Sequence, residues 1–140
     1  MSKAKTDERL KSIPMFSDLS NKELRSVSRL MTAVTVAEGT DIITQDEIGR
    51  EFMILLTGTA VVRRNGRKLA DIGPGDMTGE VGVLSDSPRM ATVTATSPMV
   101  IEVLNRRELM TLLDEQPRMA KKILLAAIRR LHDLEISKTA

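Results

Sequence analysis

Short runs of apolar residues fill the middle of the chain, and longer helical periodicities flank them on both sides. Between residues 33 and 104, β-branched and aliphatic residues recur in runs of three to six, and glycine, asparagine or proline separates these runs. Short strands with frequent turns are typical of an antiparallel β-sandwich or barrel. The predicted strands are Ala33–Val36, Asp41–Ile43, Phe52–Thr57, Thr59–Arg63, Lys68–Ile72, Ala91–Ala95 and Val100–Leu104.

Helices are predicted before this β-rich region. Thr6 or Asp7 is expected to cap a short first helix that ends before Pro14, because proline disfavours helical geometry in the residue that precedes it. Ser20 followed three residues later by Glu23 has the pattern of a capping box, in which each residue bonds the backbone of the other. The sequence therefore predicts a second helix, ending near residue 30.

Two further helices are predicted after the β-rich region. Asn105 is expected to cap a helix over Arg106–Asp114, and Pro117 suits the first turn of a last helix that runs to about Ile136. The last helix contains the continuous apolar run Leu124–Ile128. One packing face cannot cover such a run, so we expect a ligand, a partner subunit or both to cover the remainder.

The composition indicates a single globular domain. The chain has 140 residues, of which 41% are hydrophobic and 29% are charged. It has no cysteine, which excludes disulfides and thiolate metal sites. No apolar run is long enough for a membrane span, and the first residues lack the apolar core of a secretory signal. We therefore expect a cytoplasmic protein with no membrane partner.

The charged and aromatic residues argue against nucleic-acid binding and against catalysis. The net charge is only +2, from 21 basic and 19 acidic residues, and the basic pairs are scattered. Two phenylalanines and no tyrosine or tryptophan leave too few rings for a base-stacking platform. His132 is the only histidine, which argues against a cupin-type metalloenzyme, and no catalytic triad or carboxylate pair stands out. The expectation is a protein that is not an enzyme.

The candidate chemistry lies in the segment from Gly73 to Ala95, whose sequence is GPGDMTGEVGVLSDSPRMATVTA. Glu80 follows Gly79 and opens a short apolar stretch suited to one helical turn, whose first N–H groups would point at an anion. Pro88 fixes the chain just before Arg89. A guanidinium binds phosphate oxygens bidentately, and a carboxylate accepts hydrogen bonds from a sugar hydroxyl. The pattern indicates a small ligand with a phosphate and a free ribose hydroxyl; a structural Glu80–Arg89 ion pair is the other interpretation.

These residues also carry a resemblance. The stretches GDMTGEVGVL and PRMATV resemble the phosphate-binding cassette of the cyclic nucleotide-binding domain family. The chain is similar to this family from about Ile13 to about Leu134. The further matching segments are Pro14–Ser20, Ile43–Gly49 and Phe52–Gly58.

The resemblance implies a fold and a site. The implied fold is mainly β with flanking helices (α+β), an antiparallel, jelly-roll-like β-roll over residues 31–104. Helices would occupy residues 1–30 and a helix pair residues 105–136, all within one domain spanning 1–140. By resemblance, Glu80 accepts the ribose 2′-hydroxyl and Arg89 binds the exocyclic phosphate oxygens. The implied ligand-binding residues are Gly79, Glu80, Val81, Gly82, Val83, Arg89, Met90 and Ala91.

Three positions depart from the family pattern. Met90 stands where relatives often have a small residue or a hydroxyl that favours guanine, so cyclic AMP is expected as the ligand before cyclic GMP. Thr78 replaces a frequent aromatic, which we interpret as a packing variation. Asp46 replaces a glycine, and aspartate tolerates left-handed geometry better than most residues. Among the methionines, Met53 and Met77 are expected in the core, and Met119 near the base.

The expected function is a cyclic nucleotide sensor that repositions its C-terminal helices when the ligand binds. No cofactor is implied, and cyclic AMP or cyclic GMP is the ligand. The alternative is a constitutive protein-interaction module of the same fold with a weak or empty pocket. A homodimer or an effector protein bound through the C-terminal helix is the partner hypothesis. We expect no DNA binding, because the chain ends at Ala140 without room for a helix-turn-helix domain after its last helix.

Overall fold

Two four-stranded antiparallel sheets stand at the centre of the computed structural model, which describes residues 3–139. The strands are β1 (Thr32–Val36), β2 (Asp41–Ile43), β3 (Glu51–Thr57), β4 (Ala60–Arg64), β5 (Arg67–Ile72), β6 (Met77–Thr78), β7 (Thr92–Ala95) and β8 (Met99–Asn105). One sheet has the order β1-β8-β3-β6 and the other β2-β7-β4-β5. The predicted antiparallel β fold with flanking helices is confirmed. Strand β6 was not predicted, because two residues show no periodicity.

Strand β3 is buried on both faces, which explains its continuous apolar sequence. Phe52, Ile54 and Leu56 pack against the helices on the outside of the first sheet. Met53 and Leu55 alternate with them and point between the two sheets, into a second apolar cluster. The first sheet therefore separates a helical core from the interior of the β-roll. Met77 is buried in the helical core, as expected for a core methionine.

Two turns adopt the geometry that their sequences predict. Asn65 and Gly66 both have positive φ, at 53° and 77°, as a type I′ hairpin between β4 and β5 requires. Gln45 holds this hairpin through a hydrogen bond to the side chain of Asn65 and another from its backbone N–H, both 2.8 Å long. Asp46 has a φ of 69°, so the turn in which it replaces glycine is kept.

Within residues 3–139, five α-helices flank the sheets. They are α1 (Lys3–Lys11), α2 (Asn21–Arg29), α3 (Glu80–Ser85), α4 (Arg106–Glu115) and α5 (Pro117–Thr139), with a 3₁₀ turn at Pro14–Phe16. Capping boxes with Ser20 and Asn105 begin α2 and α4; the box at Ser20 and the cap at Asn105 were predicted, and the part of Glu108 in the second box was not. The prediction for the first helix was wrong in one respect. Because α1 already begins at Lys3, Thr6 and Asp7 lie within it and do not cap it.

Helix α5 packs along one face and exposes another. Met119, Ile123 and Ala127 are buried at helical spacing. Four apolar side chains on the other face are between 46% and 55% exposed: Leu124, Leu125, Ile128 and Leu131. As expected, packing within the chain covers only part of the apolar run Leu124–Ile128.

A lysine near the start of α5 attaches this helix to the segment between α1 and α2. Lys122 donates to the main-chain oxygen of Met15 at 3.0 Å and to the carboxylate of Asp18 at 3.3 Å. The bond from Lys122 is the main cause that lowers the pKa of Asp18 below its ordinary value. Within residues 3–139, no helix has both the length and the apolar character needed to cross a membrane.

Candidate ligand-binding site

A cavity that is partly open to solvent lies beside α3. Its walls combine strands of the second sheet with the segment that begins at Thr78. The lining residues are Ile43, Val62, Leu69, Thr78, Gly79, Glu80, Val81, Gly82, Arg89, Met90, Ala91 and Val93. All of the expected ligand-binding residues except Val83 are among them.

Val83 lies on the other side of α3. Its side chain is 1% exposed and belongs to the helical core, and its N–H donates to the carbonyl oxygen of Gly79 at 3.2 Å. The helical turn rotates Val83 away from the cavity and uses its amide inside the helix. The expectation that Val83 contributes to the cavity is therefore corrected.

Glu80 is held in the cavity wall by the start of α3. Gly79 precedes the helix with a φ of 88°, a left-handed value that favours glycine. The chain reverses there and places Glu80 at the first helical position, where a negative charge suits the helix dipole. Glu80 is 1% exposed, so its carboxylate is inside the protein rather than at the surface.

Arg89 reaches the same cavity from the loop before β7. Its guanidinium donates from Nη1 to the carbonyl oxygen of Gly79 at 3.0 Å and from Nη2 to that of Glu51 at 2.7 Å. The residue is 6% exposed. Burial lowers the pKa of the Arg89 guanidinium, and the charges of Glu51 and, to a smaller extent, Glu80 oppose this shift without cancelling it. The cavity therefore contains a buried guanidinium, which favours an anionic ligand.

The backbone of Arg89 is fixed to the loop between β2 and β3. Its N–H donates to the carbonyl oxygen of Glu47 at 2.8 Å, and its carbonyl oxygen accepts from the N–H of Asp46 at the same distance. These paired bonds place the start of the side chain, and the two main-chain carbonyls place its end. The guanidinium is thus held by the protein before any ligand arrives.

The family model of the cyclic nucleotide-binding domain matches residues 33–116. This range contains all of the cavity-lining residues and all of the strands, apart from the first residue of β1. The chain belongs to the cyclic nucleotide-binding domain family. The resemblance of its cassette residues to this family is confirmed.

Relatives in this family include regulatory subunits of protein kinases. The cAMP-dependent protein kinase regulatory subunit of Yarrowia lipolytica is 36% identical over 99 residues, covering 69% of this chain and 26% of the relative. The regulatory domain of Toxoplasma gondii PKA, solved with cAMP, has a TM-score of 0.67 and 27% identity, over 79% of this chain and 44% of that one. The chain spans about a quarter of the length of the curated relatives it matches.

Another solved structure shows the shared fold alone. The regulatory subunit of a cAMP-independent protein kinase A from Trypanosoma brucei has a TM-score of 0.81 at 24% identity, over 98% of this chain and 49% of that one. This similarity extends over nearly the whole of this chain.

Sequence reasoning missed the apolar part of this cyclic nucleotide-binding domain's cavity. Ile43, Val62, Leu69 and Val93 line it from β2, β4, β5 and β7. Each lies in a predicted strand, but the pairing order of those strands brings them together, and no local pattern shows that order. Thr78 is 2% exposed and also lines the cavity. Its interpretation as a packing variation did not predict this position in the cavity wall.

Met90, Met119 and Thr92 differ in their position relative to the cavity. Met90 lines the cavity, as expected. Met119 is fully buried in the helical core and is not among the lining residues, so its expected position near the base is corrected. The hydroxyl oxygen of Thr92 accepts a hydrogen bond from the N–H of Gln45 at 3.0 Å, which fixes the loop beside the cavity.

Metal chemistry finds no support in the part of the chain that the structure describes. No group of three or more His, Asp or Glu side chains there is placed to hold a metal ion. His132 is exposed on α5.

Proposed function

We propose that the chain binds a 3′,5′-cyclic nucleotide in the cavity beside α3, with cyclic AMP preferred to cyclic GMP. One observation carries this proposal: a buried carboxylate, Glu80, and a buried guanidinium, Arg89, line a single cavity. Burying two ionisable groups is costly, and a ligand with complementary groups is a physical reason to bear that cost.

The proposed pose follows from the polarity of the walls. Arg89 binds the exocyclic phosphate oxygens, because a guanidinium has more N–H donors than its two carbonyl partners occupy. Glu80 accepts a hydrogen bond from the ribose 2′-hydroxyl. The backbone of Gly79, Val81 and Gly82 follows the sugar and phosphate, and the apolar walls from the second sheet receive the base. Met90 and Ala91 also line the cavity.

The preference for adenine rests on Met90. A thioether cannot donate a hydrogen bond to guanine, and the lining residues from β2, β4, β5 and β7 are aliphatic. The relative from Toxoplasma gondii is described as bound to cAMP, which supports the same ligand here.

We further propose a regulatory role without catalysis. Ligand binding would favour one arrangement of α4 and α5 over another, because a ligand shifts an equilibrium only by its differential affinity for the two states. The exposed apolar face of α5 would then contact an effector protein or a second copy of the chain. The regulatory subunits among the relatives support this role.

Isothermal titration calorimetry with cyclic AMP and with cyclic GMP tests the ligand. We expect saturable binding of both, tighter for cyclic AMP. The acyclic 5′-AMP is the matched control, since it keeps the base and ribose but changes the shape and charge of the phosphate. The absence of a saturable signal for either cyclic nucleotide at millimolar concentration would favour the alternative, an interaction module with an empty pocket.

No sequence-specific DNA binding is expected from this chain. Its charge is nearly balanced, and affinity for DNA depends on an excess of basic contacts to phosphates. An electrophoretic mobility assay at physiological salt, with and without cyclic AMP, checks this. A shift that survives that salt and depends on sequence would contradict the prediction.

A further inference from the structure

We infer that Gly49 is a positioning residue for the Arg89 guanidinium, acting through the absence of its own side chain. A Cβ atom built on Gly49 would lie 2.3 Å from Nε, 2.6 Å from Nη2 and 2.7 Å from Cζ of Arg89. These distances are too short for any real Cβ, so the guanidinium occupies the space that a side chain at this position would need.

The backbone of Gly49 does not itself require glycine. Its φ lies outside the left-handed region, unlike that of Gly79, whose φ is 88°. The three nearest atoms to a Cβ on Gly49 all belong to the Arg89 guanidinium. A larger residue at position 49 would therefore act on the protein chiefly by displacing that group.

The other glycines around Arg89 are less specific. A Cβ on Gly79 would meet the main-chain oxygen of Glu51 at 2.6 Å as well as Nη1 of Arg89 at 2.9 Å, so its substitution would disturb the backbone too. A Cβ on Gly82 would lie 3.0 Å from Nη1, a contact that a small movement relieves. Gly49 is the position at which the guanidinium can be moved with the least other change.

The inference rests on the proposed function, in which Arg89 binds the phosphate. In Gly49→Ala, the guanidinium is the end of a flexible side chain, so it can move and the fold can persist. It then loses its orientation toward the carbonyl oxygens of Glu51 and Gly79. We expect cyclic AMP to bind about tenfold to a hundredfold more weakly, since bonds to charged groups are of that strength.

A double-mutant cycle on the full chain tests this inference. Cyclic AMP affinity and thermal melting are measured for the wild type, Gly49→Ala, Arg89→Ala and the double variant. Gly73→Ala is the matched control: its φ is also outside the left-handed region, it is not among the cavity-lining residues, and its nearest Cβ contacts would be ordinary ones at 3.9 Å.

The expected result is strong non-additivity. Gly49→Ala should weaken binding and lower the melting temperature in the wild-type background, because the Arg89 guanidinium must leave its place. When Arg89 is already alanine, Gly49→Ala should change neither affinity nor melting temperature, and Gly73→Ala should bind normally. Equal affinity of Gly49→Ala and wild type would overturn the inference, as would equal effects of Gly49→Ala on melting in both backgrounds. If the wild type binds no cyclic nucleotide, the proposed function fails. The melting half of the cycle then still decides whether Gly49 acts through Arg89.

Discussion

Replacing Arg89 with alanine should weaken cyclic AMP binding by roughly 3–5 kcal/mol, because a buried charge that loses its partner carries that penalty. This is a loss of more than a hundredfold in affinity. In the proposed complex, Arg89 is the buried cation that faces the phosphate, and its orientation is fixed by two main-chain carbonyls. Calorimetry with the purified variant measures the loss.

Glu80→Ala should cost less, on the order of 1–3 kcal/mol, because it removes a hydrogen bond to a neutral hydroxyl. Arg50→Ala is the surface control: it removes an arginine close to the cavity in sequence, whose side chain is 69% exposed and pairs only loosely with Asp86 at 3.8 Å. It should bind cyclic AMP almost as the wild type does. Equal losses from Arg89→Ala and Glu80→Ala, with both variants folded by circular dichroism, would contradict the roles assigned here.

Local signals in the sequence predicted much of the fold. The capping box of Ser20 and the cap of Asn105 appear where expected, because each depends on a few neighbouring residues. The Asn65-Gly66 pair likewise forms the tight turn that such a pair favours. The cassette residues Glu80 and Arg89 share the cavity, as their type and their resemblance to the family indicated. Structural features that are determined by a few neighbouring residues can therefore be predicted from the sequence.

Features that depend on distant pairing were not predictable in the same way. The main-chain oxygen of Glu51 accepts from Arg89 across 38 positions of sequence, and a carbonyl gives no residue-specific signal. Gly49 was visible only as part of a resemblance, since its role depends on where the Arg89 guanidinium ends. The aliphatic cavity wall likewise requires the strand order β2-β7-β4-β5.

The corrected position of Val83 suggests how the cavity communicates with the last helix. Val83 packs in the same apolar cluster as Met119 and Ile123 of α5, while Glu80, three residues earlier on α3, lines the cavity. Helix α3 thus has one side toward the cavity and the other toward α5. Because packed cores shift between discrete arrangements, a movement of α3 on ligand binding would be passed to α5.

Hydrogen exchange should therefore show that α5 responds to cyclic AMP. Amides between residues 117 and 136 are expected to change their protection when the nucleotide is added, beyond the change in the cassette itself. The reason is that α5 is fixed at its start by Lys122 and Asp18 but leaves Leu124, Ile128 and Leu131 exposed, so its later turns have apolar surface that a new arrangement can bury.

Exchange is followed by mass spectrometry of peptides from the full chain with saturating cyclic AMP. Arg89→Ala at the same nucleotide concentration is the control, and neither the cassette nor α5 should respond much in it, because its weaker binding leaves the site largely unoccupied at a concentration that just saturates the wild type. If only residues 75–93 of the wild type change, then α5 is static packing. Val83 would in that case be a core residue without a role in signalling, and the proposed repositioning of the C-terminal helices would be wrong.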